Sequence, residues 1–343
     1  MPPAPTMHAV VAPRYGGAEV IEAAVVERPA ISNTEVLVQV QAAGLDRGVW
    51  HLMTGTPYLI RLLGFGFTRP KQPIPGLDLA GVVVAVGKDV ERFAVGDEVF
   101  GVGRATFAEY AVAPEGKLSH KPTDIEFETA AVTAISGATA LQALTDIGRL
   151  STGQSVLVIG ASGGVGSFTV QIAVALGAHV TGVCSSAKAA AVAKLGAERV
   201  IDYASEDYLD GSSSYDLIID AGGLNPVRKL KRALTPRGTL VIVGGEGGGK
   251  FTGGIGRNLR AAVLSLFSRQ RLTAFMSREK YETTDRLATL LSDRLVDPLI
   301  GGRYPLDRVG DAIADLEAGR IAGKAVIVMQ PTSESVNFPS SMG

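Results

Sequence analysis

The segment Ser155–Ile159 (SVLVI) decides the fold, because it continues as Gly160–Gly166 (GASGGVG) and then as a helical pattern through Gln171. The apolar run predicts a buried strand, and the glycines at 160, 163 and 166 let the backbone turn sharply and approach a pyrophosphate. The charge of a pyrophosphate suits the N-terminus of the helix that follows. The turn is therefore a predicted dinucleotide-binding site, formed by Gly160, Ala161, Ser162, Gly163, Gly164, Val165 and Gly166.

From about residue 125 onward, short apolar runs alternate with alanine-rich stretches of helical period. The runs predict parallel strands at Ser155–Ile159, His179–Val183, Arg199–Ile201, Leu217–Asp220 and Thr239–Val243. The intervals predict helices at Ser167–Leu176, Ala187–Lys194 and Pro226–Ala233. This alternation predicts an α/β fold of right-handed βαβ units in a doubly wound, Rossmann-type parallel sheet.

The first third of the chain has a different texture, with short strand-like runs broken by glycine. They predict strands at Met7–Val11, Glu35–Ala43, Ala80–Val86, Glu98–Phe100 and Phe107–Val112, so this part is mostly β. A strand at Arg271–Phe275 and a helix near Glu279–Asp293 are expected later. The tail reads as strand, helix and strand, ending at Ala325–Met329, before a polar, frayed end at residues 331–343.

Composition narrows the classes of partner. The 343 residues carry 33 Lys and Arg against 34 Asp and Glu, a net charge of −1, which predicts no nucleic-acid or membrane partner and favours a small molecule. The single cysteine, Cys184, excludes an intrachain disulfide and a multi-cysteine zinc site. Without a basic N-terminal leader or a long apolar run, the expected location is cytoplasmic.

The residues after the second strand of the cofactor half predict which nucleotide binds. An NAD-preferring site commonly places Asp or Glu there, whereas this chain has Ser185, Ser186 and Lys188. The hydroxyls and the ammonium can bind a 2′-phosphate, which favours NADPH. The alternative is a helix N-cap beside a solvated lysine.

These features together resemble the medium-chain dehydrogenase/reductase superfamily, in its zinc-independent quinone oxidoreductase-like branch. The resemblance runs nearly end to end, through segments that include Gly153–Gln171, Pro75–Gly81, Phe93–Asp97, Phe107–Tyr110 and Leu195–Ala197. It implies a GroES-like substrate domain of residues 1–124 and 297–343, and a Rossmann cofactor domain of residues 125–296.

The resemblance also implies roles for single residues of the cofactor site. Tyr203 would lie near the 2′-phosphate, Thr139 would approach the nicotinamide, and Lys324 would line the cleft on the return segment. Gly222, Val243 and Gly244 would border the cofactor at the ends of later strands. Core or helix packing is the alternative for Tyr203 and Thr139, and a solvated strand lysine is the alternative for Lys324.

A catalytic zinc site is not expected. Zinc-dependent relatives take ligands from an early Cys and from a His-Glu pair after a glycine, whereas the matching segments here are Ala43–Asp46 and Gly76–Asp78, without thiolate or imidazole. Without a Lewis acid, alcohol oxidation is disfavoured and reduction of activated acceptors remains.

The predicted substrate side lies between Asp46 and Arg61. Relatives commonly have Asn at the position of Asp46. In this chain Asp46 is predicted to hold the acceptor through water or to order the nicotinamide ribose, and the alternative is that it caps a loop. Tyr58 is the predicted proton donor, or a cover for the cleft. Trp50, Met53 and Arg61 are the predicted pocket residues, with core packing or solvation as the alternatives.

The glycine-rich segment 244–256 holds eight glycines in thirteen residues and predicts either a mobile cover over the cofactor or a surface insertion.

The leading functional hypothesis is an NADPH-dependent reductase of quinones or α,β-unsaturated carbonyl compounds, an electron-poor small-molecule acceptor. An enoyl-thioester reductase of fatty-acid or polyketide assembly is the closest enzyme alternative, and an NADPH-binding redox sensor is the non-enzyme alternative. A zinc alcohol dehydrogenase is the third. A homodimer is expected through the strand near Arg271–Phe275, again by family resemblance.

Overall fold

A computed structural model describes residues 4–223, 225–244 and 249–329. The strands in chain order are β1 (Thr6–Val11), β2 (Glu22–Glu27), β3 (Glu35–Leu45), β4 (Asp78–Val86), β5 (Glu98–Val102), β6 (Tyr110–Pro114), β7 (Leu118–His120), β8 (Ser155–Ile159), β9 (His179–Cys184), β10 (Arg199–Asp202), β11 (Tyr215–Asp220), β12 (Leu234–Ile242), β13 (Arg271–Ala274), β14 (Ile300–Pro305) and β15 (Lys324–Val328). The α-helices are α1 (Arg47–Thr54), α2 (Phe127–Ala131), α3 (Ala134–Gln142), α4 (Gly164–Ala175), α5 (Ser186–Lys194), α6 (Val227–Arg232), α7 (Ile255–Leu266), α8 (Tyr281–Ser292) and α9 (Val309–Glu317).

The cofactor half is a six-stranded sheet in the order β10-β9-β8-β11-β12-β13, and every neighbouring pair is parallel. Parallel pairing needs crossover connections, which α4, α5 and α6 supply. Strand β8 lies in the middle, buried on both sides, which explains why its sequence is a continuous apolar run. Phe168 of α4 is fully buried in the core over this sheet. The predicted Rossmann-type doubly wound fold is confirmed.

The second sheet has seven strands and is mostly antiparallel. Its path is β14-β15-β3-β4-β5-β7, and β6 also pairs with β3. The tail returns to this sheet, because β15 pairs antiparallel with β3, with Val326 opposite Gly44. Its core includes Val38, Phe107 and Ile327. A mostly β domain built from both ends of the chain is thus observed, as the GroES-like resemblance implied.

Several local predictions need correction. The predicted strand Phe107–Val112 is shifted to Tyr110–Pro114, because Phe107 instead accepts a hydrogen bond from Val10 through its carbonyl. Helix α4 begins at Gly164, three residues earlier than predicted, because the helix starts inside the glycine turn. Strands β2 and β7 and helices α1, α2 and α3 were not predicted. Residues 245–248 of the glycine-rich segment and the tail from residue 330 lie outside the described residues.

Within the part of the chain that the structure describes, no helix is both long and apolar enough to cross a lipid bilayer.

Candidate cofactor and acceptor site

The glycine turn has the close backbone packing that a dinucleotide site needs. Gly160 has φ +81°, a left-handed conformation that favours glycine. A Cβ added to Gly166 would lie 2.0 Å from the carbonyl oxygen of Gly160. Gly163 precedes α4 and has no side chain to cap it, so the amides of the first turn face outward for an anion. The residues present therefore fit a bound pyrophosphate.

The ends of the neighbouring strands border this turn. The amides of Val243 and Gly244 donate to the carbonyl of Asp220, at 3.0 and 3.1 Å. A Cβ added to Gly160 would lie 3.2 Å from the amide nitrogen of Gly222. The structure thus places Gly222, Val243 and Gly244 together beside the turn, and their contact with a cofactor stays a prediction.

A buried ion pair that the sequence did not indicate fixes the end of β11. The Asp220 carboxylate is fully buried, accepts from the amide of Gly223 at 2.9 Å and pairs with Arg257 of α7. Arg257 also donates to the carbonyl of Asn225 at 2.9 Å. Because α7 begins at the C-terminal end of the glycine-rich segment, this ion pair ties that end of the segment to the end of β11.

The predicted 2′-phosphate residues are only partly brought together. Ser185 and Ser186 stand at the start of α5, and the Tyr203 amide donates to the carbonyl of Cys184 at 3.2 Å, so these three residues are neighbours. Lys188 turns away, and its ammonium donates to two backbone carbonyls after α9, those of Gly319 and Ile321.

The pKa of Lys188 is lowered by burial, with Cys184 opposing the shift. In this structure the ammonium therefore caps the C-terminal end of α9, as lysines near helix ends do. The Lys188 contact to a 2′-phosphate stays a prediction.

A buried triad lies between the two halves of the molecule. Lys324 is 1% exposed, and its Nζ lies 3.4 Å from Asp46 Oδ2 and 3.1 Å from Asp78 Oδ2. Asp46 also caps α1, because its Oδ1 accepts from the amide of Val49 at 3.2 Å. The other oxygen of Asp78, Oδ1, accepts from the amide of Ile135, at the start of α3, at 3.0 Å. The triad therefore links β4, β15, α1 and α3.

Burial controls the ionisation of the triad. Desolvation raises the pKa of Asp78 to about 7; Asp46 adds to the rise, while Lys324 and the Ile135 amide oppose it. Desolvation lowers the pKa of Lys324, but Asp46 and Asp78 together outweigh it, and the pKa lies above its ordinary value. Lys324 is thus a cation held by two carboxylates, not the solvated strand lysine of the alternative.

The triad is in contact with the glycine turn. The Gly323 amide donates to the carbonyl of Ser162 at 2.7 Å, and Gly323 forms a parallel bridge with Gly163. A Cβ added to Gly164 would lie 3.0 Å from Cδ of Lys324. The return strand β15 therefore braces the cofactor turn from the substrate side.

Thr139 lies on the buried face of α3. Its Oγ1 is 2.7 Å from the carbonyl of Ile135 and 2.9 Å from Oγ of Ser277. The neighbouring Gln142 exchanges two hydrogen bonds with the backbone of Arg278. Helix α3 therefore holds the segment after β13, and the approach of Thr139 to a nicotinamide stays a prediction.

Tyr58 and Arg61 belong to residues 58–67, which we call the cover and which reach the cofactor half of the molecule. The Tyr58 amide donates to the carbonyl of Lys250 at 2.7 Å, and its ring stands edge-on to Phe251, at 5.3 Å between centroids. The Arg61 guanidinium donates to the carbonyls of Thr54 and Gly55 at the end of α1 and stacks over Tyr58. The Arg61 side chain therefore holds the cover against the end of α1 and is not a solvated charge.

A cavity of about 220 Å³ lies in the β half, and two of its lining residues adjoin the triad: Val49, whose amide donates to Asp46, and Leu77, which precedes Asp78. Its walls are mostly apolar and include Val49, Met53, Phe65 and Leu77, with Arg104 as the charged lining residue. Met53 lines this cavity, and its contact with a substrate stays a prediction. Trp50 is not among the lining residues; its indole donates to Glu317 Oε1 at 2.6 Å and so anchors α1 to α9.

Sequence and structure comparisons agree with this architecture. The chain matches the alcohol dehydrogenase GroES-like domain over residues 32–123 and the zinc-binding dehydrogenase domain over residues 195–327. It is 31% identical over 339 residues to the chloroplast envelope quinone oxidoreductase homolog of Arabidopsis thaliana, covering 94% of this chain and 98% of that protein.

A second relative and a solved structure extend the comparison. The chain is 33% identical over 276 residues to the mitochondrial NAD(P)H oxidoreductase RTN4IP1 of Mus musculus, covering 74% of this chain and 69% of that protein. It superposes on the quinone oxidoreductase of Pseudomonas syringae pv. Tomato DC3000 with a TM-score of 0.80 at 28% identity, covering 94% and 99% of the two chains.

The chain belongs to the medium-chain dehydrogenase/reductase family, in its zinc-independent quinone oxidoreductase-like branch. It is an oxidoreductase.

Two buried charged residues of this region, Asp78 and Arg257, were not predicted from the sequence. In the sequence, Asp78 is noted only as part of a segment without a zinc ligand. An acidic residue inside an apolar run is nevertheless a signal, because a buried carboxylate needs a partner. Arg257 gave no comparable signal, since arginine is ordinary on an amphipathic helix.

Proposed function

We propose that this oxidoreductase uses NADPH to reduce quinones or α,β-unsaturated carbonyl compounds. The observation that carries the proposal is the apolar cavity of about 220 Å³ lined by residues of α1, by Phe65 and by the segment before Asp78. Such a cavity suits a planar, electron-poor acceptor. The relatives are a quinone oxidoreductase homolog and an NAD(P)H oxidoreductase, which supports the same chemistry.

The residues that would hold NADPH are those of the glycine turn, the strand ends and the start of α5. The turn amides would bind the pyrophosphate, and Gly222, Val243 and Gly244 would border the nucleotide. Ser185, Ser186 and Tyr203 would meet the 2′-phosphate, with no acidic side chain in Ser185–Lys188 to repel it. Bound NADPH would supply the hydride.

The triad positions the acceptor side relative to this turn. Both oxygens of Asp46 and of Asp78 have partners, so neither carboxyl group is free to give a proton to an acceptor. We therefore assign Asp46 and Lys324 a positioning role. The direct contact with the acceptor that the sequence predicted for Asp46 is not part of this proposal.

Tyr58 is the proposed proton donor. Reduction of a quinone to a hydroquinone takes one hydride and one proton in all, so Tyr58 would give that one proton and recover it from water. The Arg61 guanidinium lies 4.7 Å from the ring centroid of Tyr58, so this tyrosine stands on the cover beside a cation.

The test is oxidation of NADPH and NADH, side by side, with quinones, enones and enoyl thioesters as acceptors. We expect quinone or enone turnover, with NADPH preferred by about tenfold or more. Preference for enoyl thioesters would favour the assembly-line alternative, and tight binding without turnover would favour the redox sensor.

Two variants test the residues with matched controls. Tyr58→Phe is expected to lower kcat about tenfold to a hundredfold with little change in the KM for NADPH, whereas Tyr281→Phe, on the outer helix α8, leaves both unchanged. Ser185→Ala is expected to reduce the NADPH preference, whereas Ser151→Ala does not. Equal effects in each pair would contradict these roles.

We also propose a homodimer in the cytoplasm. Strand β13 is the last strand in the order of the six-stranded sheet, and an edge strand is a ready surface for pairing with a second copy. A monomeric mass by light scattering at micromolar concentration would contradict this arrangement.

A further inference from the structure

An exposed apolar stripe runs along α7. Its members, spaced three or four residues apart and therefore on one helix face, are 46–85% exposed: Ile255, Leu259, Val263, Leu266 and the adjoining Phe267. We call these five residues the α7 stripe. A surface helix normally turns such a face inward, and in α7 the buried residue is the small Ala261.

A second set of exposed apolar side chains lies on the cover of the acceptor cavity. Leu62, Leu63, Phe65 and Phe67 are 47–72% exposed. We call these four residues the cover patch.

The two sets are joined through Phe251, which is itself 74% exposed. Its ring meets Tyr58 of the cover, its carbonyl accepts from the amide of Leu59 at 3.1 Å, and it stands four residues before Ile255. Phe251 therefore connects the cover to the start of the stripe, and exposed apolar side chains gathered in this way mark a place of interaction.

The charge of these segments is uniform. Residues 47–77 and 249–278 together hold ten of the 33 lysines and arginines of the chain and none of the 34 acidic residues. Six of these cations are exposed and form no ion pair with a carboxylate among the described residues: Arg69, Lys71, Lys250, Arg260, Arg269 and Arg278. The net charge of the whole chain, −1, hides this local excess of basic residues, which is why the sequence predicted no membrane partner.

Apolar side chains rimmed by unpaired cations fit an anionic lipid surface. An interfacial helix lies in the plane of the bilayer, with its apolar side chains among the acyl chains and its basic side chains at the headgroups. A second copy fits less well, because a two-fold contact would bring this basic surface against itself.

We propose that the α7 stripe and the cover patch form a docking surface for anionic membranes. If the proposed function holds, docking has a consequence for the acceptor. Phe65 belongs to the exposed patch and also lines the acceptor cavity, so a lipophilic quinone passes from the bilayer to the cavity beside this side chain.

The experiment is flotation of the full-length protein with lipid vesicles, without nucleotide or acceptor. Vesicles of phosphatidylcholine mixed with phosphatidylglycerol are compared with phosphatidylcholine alone, at low and high salt. The wild type should float with the anionic vesicles only, and high salt should release it, since each basic residue near the surface contributes roughly fivefold to partitioning.

The variant Leu259→Glu/Leu266→Glu should reduce partitioning about a hundredfold or more, because it places two anions in the stripe. The matched control is Val25→Glu/Val95→Glu, two side chains exposed to a similar degree elsewhere, and it should float like the wild type.

Three results would overturn the proposal: no flotation of the wild type, equal flotation of the stripe variant, or a change in mass of the stripe variant by light scattering, which would show that a second copy covers the stripe. Turnover of a water-soluble quinone without vesicles should be equal in all these proteins. Flotation without any such turnover leaves the docking surface standing and rejects the proposed function.

Discussion

Replacing Lys324 with methionine tests the central contact between the two halves of the molecule. The change removes the ammonium that lies 3.4 Å from Asp46 and 3.1 Å from Asp78, while it keeps the length of the apolar stem. Removal of one partner from a buried ion pair costs about 3–5 kcal/mol of unfolding free energy, because the remaining charge stays buried.

The cost should depend on pH, with a definite sign. Asp78 has a pKa of about 7 in the folded protein against 3.8 ordinarily, so its contribution to stability is complete below the ordinary value and is lost as pH rises through 7. Lys324 holds that pKa down, so the variant raises it further. At about pH 5.5 Asp78 is already protonated, whereas at about pH 8 the variant must bury a second anion or take up a proton. For a rise of about two pKa units, the cost is greater at the higher pH by roughly 1–2 kcal/mol.

Urea unfolding at both pH values measures this difference, and Trp50, the single tryptophan, reports on it because α1 is capped by Asp46. The matched control is Lys121→Met. Lys121 is also buried, but its carboxylate partner, Glu98, has a side chain that is 46% exposed, so the control should cost less and show no such pH dependence. A Lys324→Met cost that is equal at both pH values, or greater at the lower one, would refute the coupling.

Three further outcomes follow from the site. Gly166→Ala should weaken NADPH binding tenfold or more by fluorescence titration, because the new Cβ meets the Gly160 carbonyl; unchanged affinity would contradict the close turn. Arg257→Met should lower the unfolding free energy by about 3–5 kcal/mol in urea, because it leaves the Asp220 carboxylate buried alone, and a cost under 1 kcal/mol would speak against that burial. Lys188→Met should remove about 1–2 kcal/mol and lower Tm by a few degrees, since two hydrogen bonds to the end of α9 are lost; an unchanged Tm would show that they do not hold in solution.

The sequence predicted the cofactor sheet well because its signals are local. A continuous apolar run such as Ser155–Ile159 is what burial on both faces requires, and the spacing of the glycines reports a backbone constraint that no distant residue can change. Boundaries failed where a helix begins inside glycine, as at Gly164, since residues 163 and 164 give no N-cap signal.

The acceptor side was predicted less well because its contacts are long-range. The bond between Gly323 and Ser162 and the ion pair between Lys324 and Asp46 join positions that are far apart in the chain. A lysine in a strand is ordinarily solvated, and only the pairing of β15 with β3 places this one inside. Trp50 and Arg61 were predicted from residue type alone, whereas their actual partners lie at the ends of α9 and α1.

The triad also explains how a family site can work without zinc. Asp46 and Asp78 come from the two segments that supply zinc ligands in metal-dependent relatives, and here the ammonium of Lys324 holds these segments together. An ammonium has only donors, and both of its carboxylate partners are buried, so it fixes geometry without offering a coordination position to a substrate oxygen. Under the proposed function the acceptor is itself electron-poor, as a quinone or an enone is, and the apolar cavity lined by Val49 and Leu77 suits such a molecule.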